Sequence, residues 1–396
     1  MSELSYLEKL LDGVEVEWKS LGDVVNFQRG RRLVKSQLET RGKYAVYQNS
    51  MTPLGYYHEY NVAAQSSFII CAGAAGEIGY SENEFWAADD VHFAITPEYI
   101  NDRFLFHFLL TQKNKISGQV RRASIPRLSK SVIEKLEFPI PCPDNPEKSL
   151  AIQSEIVRIL DKFTALTAEL TAELNMRKKQ YNYYRDQLLS FKEGEVNWTT
   201  LGNEELFHIC AGGTPSKSKA EYWDNGSIPW LKSESCNNES VYFAKDFISE
   251  LGLKKSTAKL LPKNTTLIAL VGATIFKTAF LEFEATTNQN IASIKSTKEN
   301  IITDKFIFYF LTNLYNTLKS EMRNYGMLNL TNLRQFRIPI PCIAEQKRIV
   351  SILDKFDTLT NSITEGLPRE IELRQKQYEY YRDLLFSFPK PETVSN

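Results

Sequence analysis

The sequence has few of the residues that build disulfide frameworks and metal sites. Five cysteines and four histidines occur in 396 residues, and the cysteines are far apart. The sequence contains no CxxC pair and no HxxxH pair. A disulfide scaffold and a zinc site are therefore both disfavoured, and we expect reduced thiols in a cytoplasmic protein.

Long apolar runs are also missing. No segment reaches the roughly 18 consecutive apolar residues that a membrane-spanning helix needs. The first residues, MSELSYLEKLLDG, are acidic and polar, whereas a secretion signal is basic and then apolar. We expect a soluble chain with no membrane partner.

An overall excess of one charge is absent as well, because 48 basic residues balance 48 acidic residues. The balance is uneven along the chain. Residues 18–140 hold 15 basic against 12 acidic residues, and residues 198–340 hold 16 against 13. Each segment is therefore +3, while the remainder of the chain is slightly acidic. This excess places any anionic partner on these two segments, although only a clustered patch would indicate a nucleic acid.

Two catalytic motifs are missing. A DNA adenine methyltransferase needs an (N/D)PP(Y/F) motif, and none occurs. The segment Gly272–Thr278 approaches a phosphate-binding P-loop, but Phe276 stands where the second glycine is required, so we expect a strand-turn-strand element there. The adjacent carboxylates Asp89 and Asp90 are interpreted as turn or surface residues. The sequence therefore predicts that this chain is not itself an enzyme.

The chain contains an internal duplication. KQYNYYRDQLLSF at 179–191 and KQYEYYRDLLFSF at 376–388 agree at ten of thirteen positions. ILDKF at 159–163 returns at 352–356, and FPIPC at 138–142 returns as IPIPC at 338–342. A repeat of about 200 residues indicates two equivalent folding units, each with a variable globule and a helical segment.

Apolar residues in each helical segment recur at alternating spacings of three and four. The first series is Ile152, Ile156, Ile159, Phe163, Leu166 and Leu170, and the second is Ile349, Ile352, Phe356, Leu359 and Ile363. This pattern predicts two coiled-coil helices, each of about 39 residues and roughly 58 Å, and we expect them to be antiparallel. Gly366, Leu367 and Pro368 predict an interruption of the second helix.

Two further features complete the expected architecture. The chain start, EKLLDGVEVEW, echoes QLLSFKEGEVNW at 187–198, so we expect the termini to lie close together in a pseudo-two-fold cyclic arrangement. Helices predicted at 100–115 and 303–318 carry aligned apolar residues that we assign to the cores. These residues are Phe104, Phe106 and Leu109 in the first half and Phe306, Phe308 and Leu311 in the second.

These motifs resemble the DNA-specificity subunit of type I restriction-modification systems, in particular the type IC subfamily. The resemblance covers essentially the whole chain and is most specific in residues 153–191 and 346–388. Within the globules it rests on shorter fragments, which are GAAGEIGY at 73–80, GGTPS at 212–216, SIPWLKS at 227–233 and TTNQNI at 286–291.

The resemblance implies a function, partners and cofactors. Each globule would be a target recognition domain that reads one half of an asymmetric, bipartite sequence in double-stranded DNA. The helices would hold the domains apart and dock two modification subunits, to which motor/endonuclease subunits are added. S-adenosylmethionine, ATP and Mg are expected on those partners and no cofactor on this chain. The resemblance also implies a bacterial, cytoplasmic, nucleoid-associated protein.

The expected fold class is α/β, with two globular domains separated by two long antiparallel helices. The expected domain limits are 1–17 for an N-terminal segment that completes the cyclic repeat, 18–145 for the first recognition domain, 146–195 for the central helical spacer, 196–342 for the second recognition domain and 343–396 for the C-terminal spacer. TAEL occurs twice in tandem, at 167–170 and 171–174. We hypothesise that the number of these units sets the distance between two DNA half-sites.

The DNA-binding candidates are basic and polar residues in predicted loops, because arginine can take guanine bidentately or hold phosphate. In the first globule they are Arg29, Arg31, Arg32, Lys35, Arg121, Arg122, Ser124 and Arg127. In the second they are Thr214, Ser216, Lys217, Lys219, Lys232, Ser233, Arg323 and Asn324. Asn288, Gln289 and Asn290 suit adenine, but a structural turn is the favoured interpretation of that fragment.

An aromatic strip in the helices is the candidate surface for the modification subunits. It comprises Tyr183, Tyr184, Tyr380 and Tyr381, which exceed what a two-helix seam can bury. A tighter internal bundle remains open as an explanation of these tyrosines. The alternative function is a non-enzymatic coiled-coil scaffold that organises protein partners and binds no DNA.

Overall fold

The computed structural model describes residues 6–321, 327–362 and 364–390. The chain divides into two compact units, of which the first is Met1–Thr171 with Glu370–Asn396 and the second is Ala172–Arg369. Each unit combines one globule with parts of both helical segments. Helices and sheets occur in both units, as the expected fold class requires.

The first globule and the helix that follows it contain these elements: α1 (Tyr6–Leu11), β1 (Val16–Ser20), α2 (Leu21–Val24), β2 (Asn26–Arg29), β3 (Tyr44–Tyr47), β4 (Gly55–Tyr57), β5 (Ser66–Ile70), β6 (Ile78–Ser81), β7 (Phe85–Ala87), β8 (Val91–Ile95), α3 (Asp102–Thr111), α4 (Lys113–Gly118), α5 (Lys130–Glu134), β9 (Glu137–Pro141) and α6 (Pro146–Leu188).

The second globule and its helices contain β10 (Asn197–Thr200), β11 (Phe207–Ala211), β12 (Ile228–Leu231), β13 (Glu239–Val241), β14 (Asp246–Ile248), α7 (Glu250–Lys254), β15 (Thr266–Ala269), β16 (Thr278–Leu281), β17 (Thr286–Thr287), β18 (Ile291–Ser296), α8 (Asp304–Asn313), α9 (Tyr315–Glu321), α10 (Leu330–Arg334), β19 (Arg337–Ile340), α11 (Ile343–Asn361) and α12 (Gly366–Leu385).

The sheets of the two globules share one topology. In the first, the strand orders are β2-β8-β5-β6, β4-β3-β7 and β1-β9; in the second they are β11-β18-β15-β16-β13, β14-β12-β17 and β10-β19. The second globule thus adds β13, which pairs in parallel with β16. Most pairings are antiparallel, while β3 pairs in parallel with β7 and β12 with β17. The duplication read from the helices therefore extends through globules whose sequences differ.

The predicted core helices are confirmed, with shorter bounds. The Asn101 side chain accepts hydrogen bonds from the backbone N–H groups of Arg103 and Phe104 and so caps α3. The buried face of α3 includes Phe104 and Leu109, and α8 buries Phe306, Phe308 and Leu311 at matching positions. Phe106 is partly buried but packs against the same core cluster and contacts the Tyr80 ring at 5.6 Å, so its assignment to packing also holds.

The two helical segments differ in continuity. Helix α6 has 43 residues, which corresponds to about 65 Å, somewhat longer than expected. The second segment is interrupted as predicted and consists of α11 and α12. Pro368 lies in the first turn of α12. A backbone N–H at this position would have no intrahelical acceptor, so a proline there removes no hydrogen bond. The proline therefore starts a new helix there, whereas in a helix interior it would cause a kink.

The predicted coiled-coil seam is only partly correct. In α6 the buried residues nearest the globule are Ile152, Ile156 and Leu160, whereas the predicted Ile159 is only partly buried. Leu353 is the buried counterpart of Leu160 in α11. The reason is that the first turns of each helix pack against their own globule, which presents a wider surface than one partner helix. Further along α6, Leu166 is 37% exposed, so the predicted seam is not buried throughout. The predicted seam residue Ile363 lies outside the described residues.

Described segments near the two ends of the chain contact each other within the first unit, as the echo between the chain start and residues 187–198 predicted. The indole Nε1 of Trp18 donates a hydrogen bond to the carbonyl of Pro389 at 2.9 Å. Phe386 and Phe388 lie in the same core cluster as Phe104. In the second unit a continuous chain makes the matching connection, where Phe191 contacts Phe306 with ring centroids 6.2 Å apart.

Candidate nucleic-acid interface

In the first unit the basic candidates fall in two loops, residues 29–35 and 121–127. Both loops are linked by backbone hydrogen bonds to the region of one turn, residues 88–90, which joins β7 to β8. The backbone N–H of Arg31 donates to Ala87 O at 2.9 Å, so the loop after β2 runs along one side. On the other side, Cys71 N–H donates to Asp90 O at 2.7 Å and Leu128 N–H donates to Cys71 O at 2.9 Å. The two loops are about 90 residues apart in sequence, and the structure brings them together.

The basic side chains of these loops are exposed. Arg121 and Arg127 exchange backbone hydrogen bonds at 2.9 and 3.1 Å, so residues 121–127 form a small hairpin. Arg29 is partly engaged, because its Nε donates to Asp89 O at 2.6 Å. No ion pair in the described part of the chain involves the other basic candidates of this unit. These are Arg31, Arg32, Lys35, Arg121, Arg122 and Arg127. Their charges are available to an anionic ligand such as phosphate.

The second unit has a matching turn, residues 288–290, between β17 and β18. Gly213 N–H donates to Thr287 O at 2.8 Å and Leu270 N–H donates to Asn290 O at 2.8 Å. The Thr214 hydroxyl donates to Gln289 Oε1. The prediction that Asn288, Gln289 and Asn290 form a turn is confirmed.

The polar candidates of the second unit are more strongly engaged with the protein. Lys232 Nζ lies 2.8 Å from Asp246 Oδ2, and Lys219 Nζ donates to the Tyr222 hydroxyl at 3.0 Å. Lys217 is exposed and has no ion pair within the described residues.

The remaining candidates of the second globule lie near the same turn or outside the described residues. Ser216 shares a hydrogen bond with Ser218 at 2.8 Å, and Ser233 begins a short 3-10 turn. Candidates Arg323 and Asn324 fall in residues 322–326, which the structure does not describe.

The P-loop look-alike is a strand-turn-strand element, as predicted. Residues Gly272–Thr274 form a 3-10 turn between β15 and β16, and Phe276 is buried in the core. No cluster of three or more His, Cys, Asp or Glu side chains in the described part of the chain is arranged to hold a metal ion. Among described residues, no helix is long and apolar enough to cross a membrane.

Each globule is fixed to its helix by a buried glutamine. Gln153 Oε1 accepts the Asn101 N–H at 2.8 Å, and its Nε2 donates to Tyr99 O at 3.0 Å. In the second unit Gln346 Oε1 accepts the Thr303 N–H at 2.9 Å, and its Nε2 donates to Ile301 O at 2.8 Å. Sequence reasoning did not single out these residues, although both precede the ILDKF motif by six positions.

A second polar link joins each globule to the helices. In the first unit Asp161 accepts from Arg103 Nε at 2.9 Å and lies 2.9 Å from His107 Nε2, while His107 Nδ1 lies 2.9 Å from the Tyr378 hydroxyl. Burial lowers the pKa of His107 despite the opposing effect of Asp161. Asp354, the counterpart of Asp161, accepts from the Tyr309 hydroxyl at 2.5 Å. The polar residues that recur with the repeat thus orient the globules.

The four tyrosines of the proposed docking strip are exposed. Tyr183 is 62% and Tyr380 is 65% exposed. Tyr184 stacks on Phe356 in the second unit at 5.7 Å, and Tyr381 stacks on Phe163 in the first at 5.2 Å. Two tyrosines therefore take part in helix packing, while Tyr183 and Tyr380 present most of their surface to solvent.

A cavity of about 560 Å³ lies in the second unit beside α11, and acidic side chains dominate its lining. Glu282, Asp354 and Asp357 line it, together with Lys305. Burial raises the pKa of Asp357. An acidic lining repels phosphate, so this cavity is unsuited to a nucleic acid.

Comparison with known proteins places the chain in one family. The model of the type I restriction modification DNA specificity domain matches residues 13–177 and 195–373. The EcoR124I/EcoR124II specificity subunit of Escherichia coli is 47% identical over 413 residues, with 100% of both chains covered. The EcoprrI specificity subunit of Escherichia coli is 35% identical over 403 residues, with 92% of this chain and 93% of that protein covered.

A solved structure supports the fold. The type I restriction-modification S subunit from M. genitalium superimposes with a TM-score of 0.60 at 16% identity, covering 96% of this chain and 98% of that chain. The expected resemblance is confirmed by these matches. A specificity subunit is a non-catalytic component of its enzyme, which confirms the prediction that this chain is not itself an enzyme. The chain belongs to the family of type I restriction-modification DNA specificity proteins.

Proposed function

We propose that this chain is the DNA-reading subunit of a type I restriction-modification complex and that each globule reads one half of an asymmetric, bipartite target. The target recognition domains would be residues 18–145 and 196–342. The observation that carries this proposal is the turn present in both globules at matching positions, with polar or basic loops beside it. Equivalent scaffolds with different side chains suit the reading of two different sequences.

The exposed basic residues of these loops have distinct proposed roles. Six of them would hold DNA phosphates or guanine edges, namely Arg31, Arg32, Lys35, Arg121, Arg122 and Arg127. Ser124 would contact the DNA backbone. Arg29 would also support the turn through Asp89 O. Lys217, which is exposed and has no ion pair within the described residues, would hold phosphate in the second globule. Polar contacts would come from Thr214, Ser216, Lys219, Lys232 and Ser233. Arg323 and Asn324 stay predictions from the sequence.

The helical segments would supply the assembly surface. We propose that residues 146–195 and 343–396 hold the recognition domains apart and dock two modification subunits through Tyr183, Tyr184, Tyr380 and Tyr381. Residues 1–17 would complete the cyclic repeat. S-adenosylmethionine, ATP and Mg would be bound by the modification and motor subunits. The complex would act on DNA in the bacterial cytoplasm, in association with the nucleoid.

The two TAEL units would set the half-site spacing. They lie in the middle of α6, and no residue between 164 and 180 is buried or packed against a core cluster, so added length meets no core there. One more unit adds about 6 Å and about 40° beyond a full turn. Since duplex DNA rises about 34 Å per turn, this is close to two base pairs of rise.

Footprinting of the complex with its modification subunits tests the proposal. We expect two protected tracts in one preferred sequence, separated by an unprotected spacer. Insertion of a third TAEL unit after Leu174 should move the tracts apart, whereas Thr171→Ala, which keeps the length, should not. The absence of any sequence-dependent protection would support the scaffold alternative, and unchanged spacing in the insertion variant would exclude the ruler role of α6.

A further inference from the structure

The two turns described above match hydrogen bond for hydrogen bond. In the first unit the bonds run from Gly30 N–H to Val91 O (2.9 Å), Arg31 N–H to Ala87 O (2.9 Å), Ala88 N–H to Tyr47 O (2.9 Å) and Cys71 N–H to Asp90 O (2.7 Å). In the same order, the bonds of the second unit run from Gly212 N–H to Ile291 O (3.1 Å), Gly213 N–H to Thr287 O (2.8 Å), Asn288 N–H to Leu231 O (2.9 Å) and Leu270 N–H to Asn290 O (2.8 Å). Asp89 and Asp90 are therefore the structural counterparts of Gln289 and Asn290.

A close backbone approach accompanies the turn in both units. A Cβ on Gly30 would lie 2.2 Å from Ala88 O, and a Cβ on Gly212 would lie 2.2 Å from Thr287 Oγ1. In each unit the chain at the end of the first strand of the larger sheet, β2 or β11, therefore lies in close contact with the turn. Main-chain groups and glycine hold the turn in place, so the side chains at its tip are free to differ.

The side chains at the two tips have different chemistry. No hydrogen bond or ion pair to the carboxylate of Asp89 or Asp90 occurs within the described residues, although Arg29 reaches the carbonyl of Asp89. In the second unit Gln289 is exposed, and its Oε1 accepts from Thr214. The side-chain amide of Asn290 has no partner in the described part of the chain. One turn therefore presents two acceptor-only groups, and the other presents amides that both donate and accept.

The residues around the first turn indicate what its carboxylates can bind. The exposed, unpaired arginines of the two adjacent loops suit a phosphate backbone, which would repel Asp89 and Asp90. In the major groove the cytosine N4 amino group is a donor that carboxylates accept from, whereas an amide pairs bidentately with adenine N6 and N7. A carboxylate on a turn that faces DNA would therefore favour cytosine. The amides at the equivalent positions of the second unit would favour adenine.

We infer that these turns are base-reading elements, in which Asp89 and Asp90 select a cytosine in one half-site and Gln289 and Asn290 select an adenine in the other. This inference rests on the proposed function and assigns specificity to residues that sequence reasoning interpreted as structural. The basic loops beside the turns then supply affinity, and the turns supply part of the discrimination.

The test uses the complete complex with its modification subunits and a library of duplexes in which each target position is varied. Methylation of each duplex is measured for the wild type, for Asp89→Asn with Asp90→Asn, and for Gln289→Glu with Asn290→Asp. We expect the first variant to lose roughly five- to hundred-fold of its discrimination at one or two positions of a single half-site. The second variant should change the other half-site only.

The control is Asp23→Asn, an exposed carboxylate on α2, which should leave every position unchanged. The carbonyls of Asp89 and Asp90 remain in the amide variants, and thermal unfolding should show an unchanged midpoint. If the Asp89/Asp90 variant keeps the wild-type preference, or gains affinity equally for all sequences, the inference is wrong while the proposed function stands. If the wild type itself shows no sequence preference, the proposed function fails.

Discussion

Replacement of Gln153 by leucine should destabilise the first unit, because this side chain joins the globule to α6. Gln153 is 0% exposed, accepts the Asn101 N–H at 2.8 Å, and donates to Tyr99 O at 3.0 Å and to Ser149 Oγ at 3.1 Å. Leucine fills a similar volume but leaves the N–H and the carbonyl without partners. Each such buried group costs about 1–3 kcal/mol.

The apolar character of leucine offsets part of this cost by roughly 1 kcal/mol. Two such groups less this offset give a net loss of about 1–5 kcal/mol, which for a unit of this size corresponds to a fall in Tm of roughly 2–20 °C. Calorimetric melting of the whole chain measures this shift. The matched control is Gln187→Leu on the same helix, where the exposed side chain has no partner within the described residues. That change should stay within about 0.5 kcal/mol.

The second unit offers an internal repeat of the experiment. Gln346→Leu removes the matching hydrogen bonds to Thr303 and Ile301 and should cost a similar free energy. Because the two sites belong to separate compact units, the effects of Gln153→Leu and Gln346→Leu should add within about 0.5 kcal/mol. If Gln153→Leu melts within 2 °C of Gln187→Leu, about the smallest shift expected for 1 kcal/mol, the glutamine does not hold the globule to the helix.

Two further predictions concern the scaffold. Gly30→Ala places a Cβ 2.2 Å from Ala88 O and should cost more than about 2 kcal/mol, whereas Gly118→Ala meets nothing within 4 Å and should be neutral; equal urea midpoints would contradict the close approach. Burial raises the pKa of Asp102 from 3.8 to about 6. The folded state therefore keeps a proton that the unfolded chain releases, and stability falls as pH rises from about 4 to about 6. Relative to Asp102→Asn, the wild type should lose up to roughly 3 kcal/mol across this window in urea titrations, and parallel pH profiles would refute this.

The sequence alone was sufficient for the architecture and the family. The repeat of KQYxYYRD and ILDKF marked two equivalent units, heptad spacing marked the helices, and Pro368 marked the break between α11 and α12. These features are local, since a helix and its interruption depend on neighbouring residues along one chain. The echo between the chain start and residues 187–198 also predicted that the two end segments lie close together, and Trp18 does donate a hydrogen bond to Pro389 among the described residues.

Only the tertiary structure decided which residues share a surface. It buried Leu160 where the heptad favoured Ile159, because the globule covers a wider face of α6 than a single helix would. It also engaged Lys232 with Asp246, which lies on a separate strand. Sequence identity does not reveal that Asp89 and Gln289 occupy equivalent positions. Main-chain hydrogen bonds create that equivalence, and main-chain groups are the same for every residue type except proline, so the side chains at these positions were free to diverge.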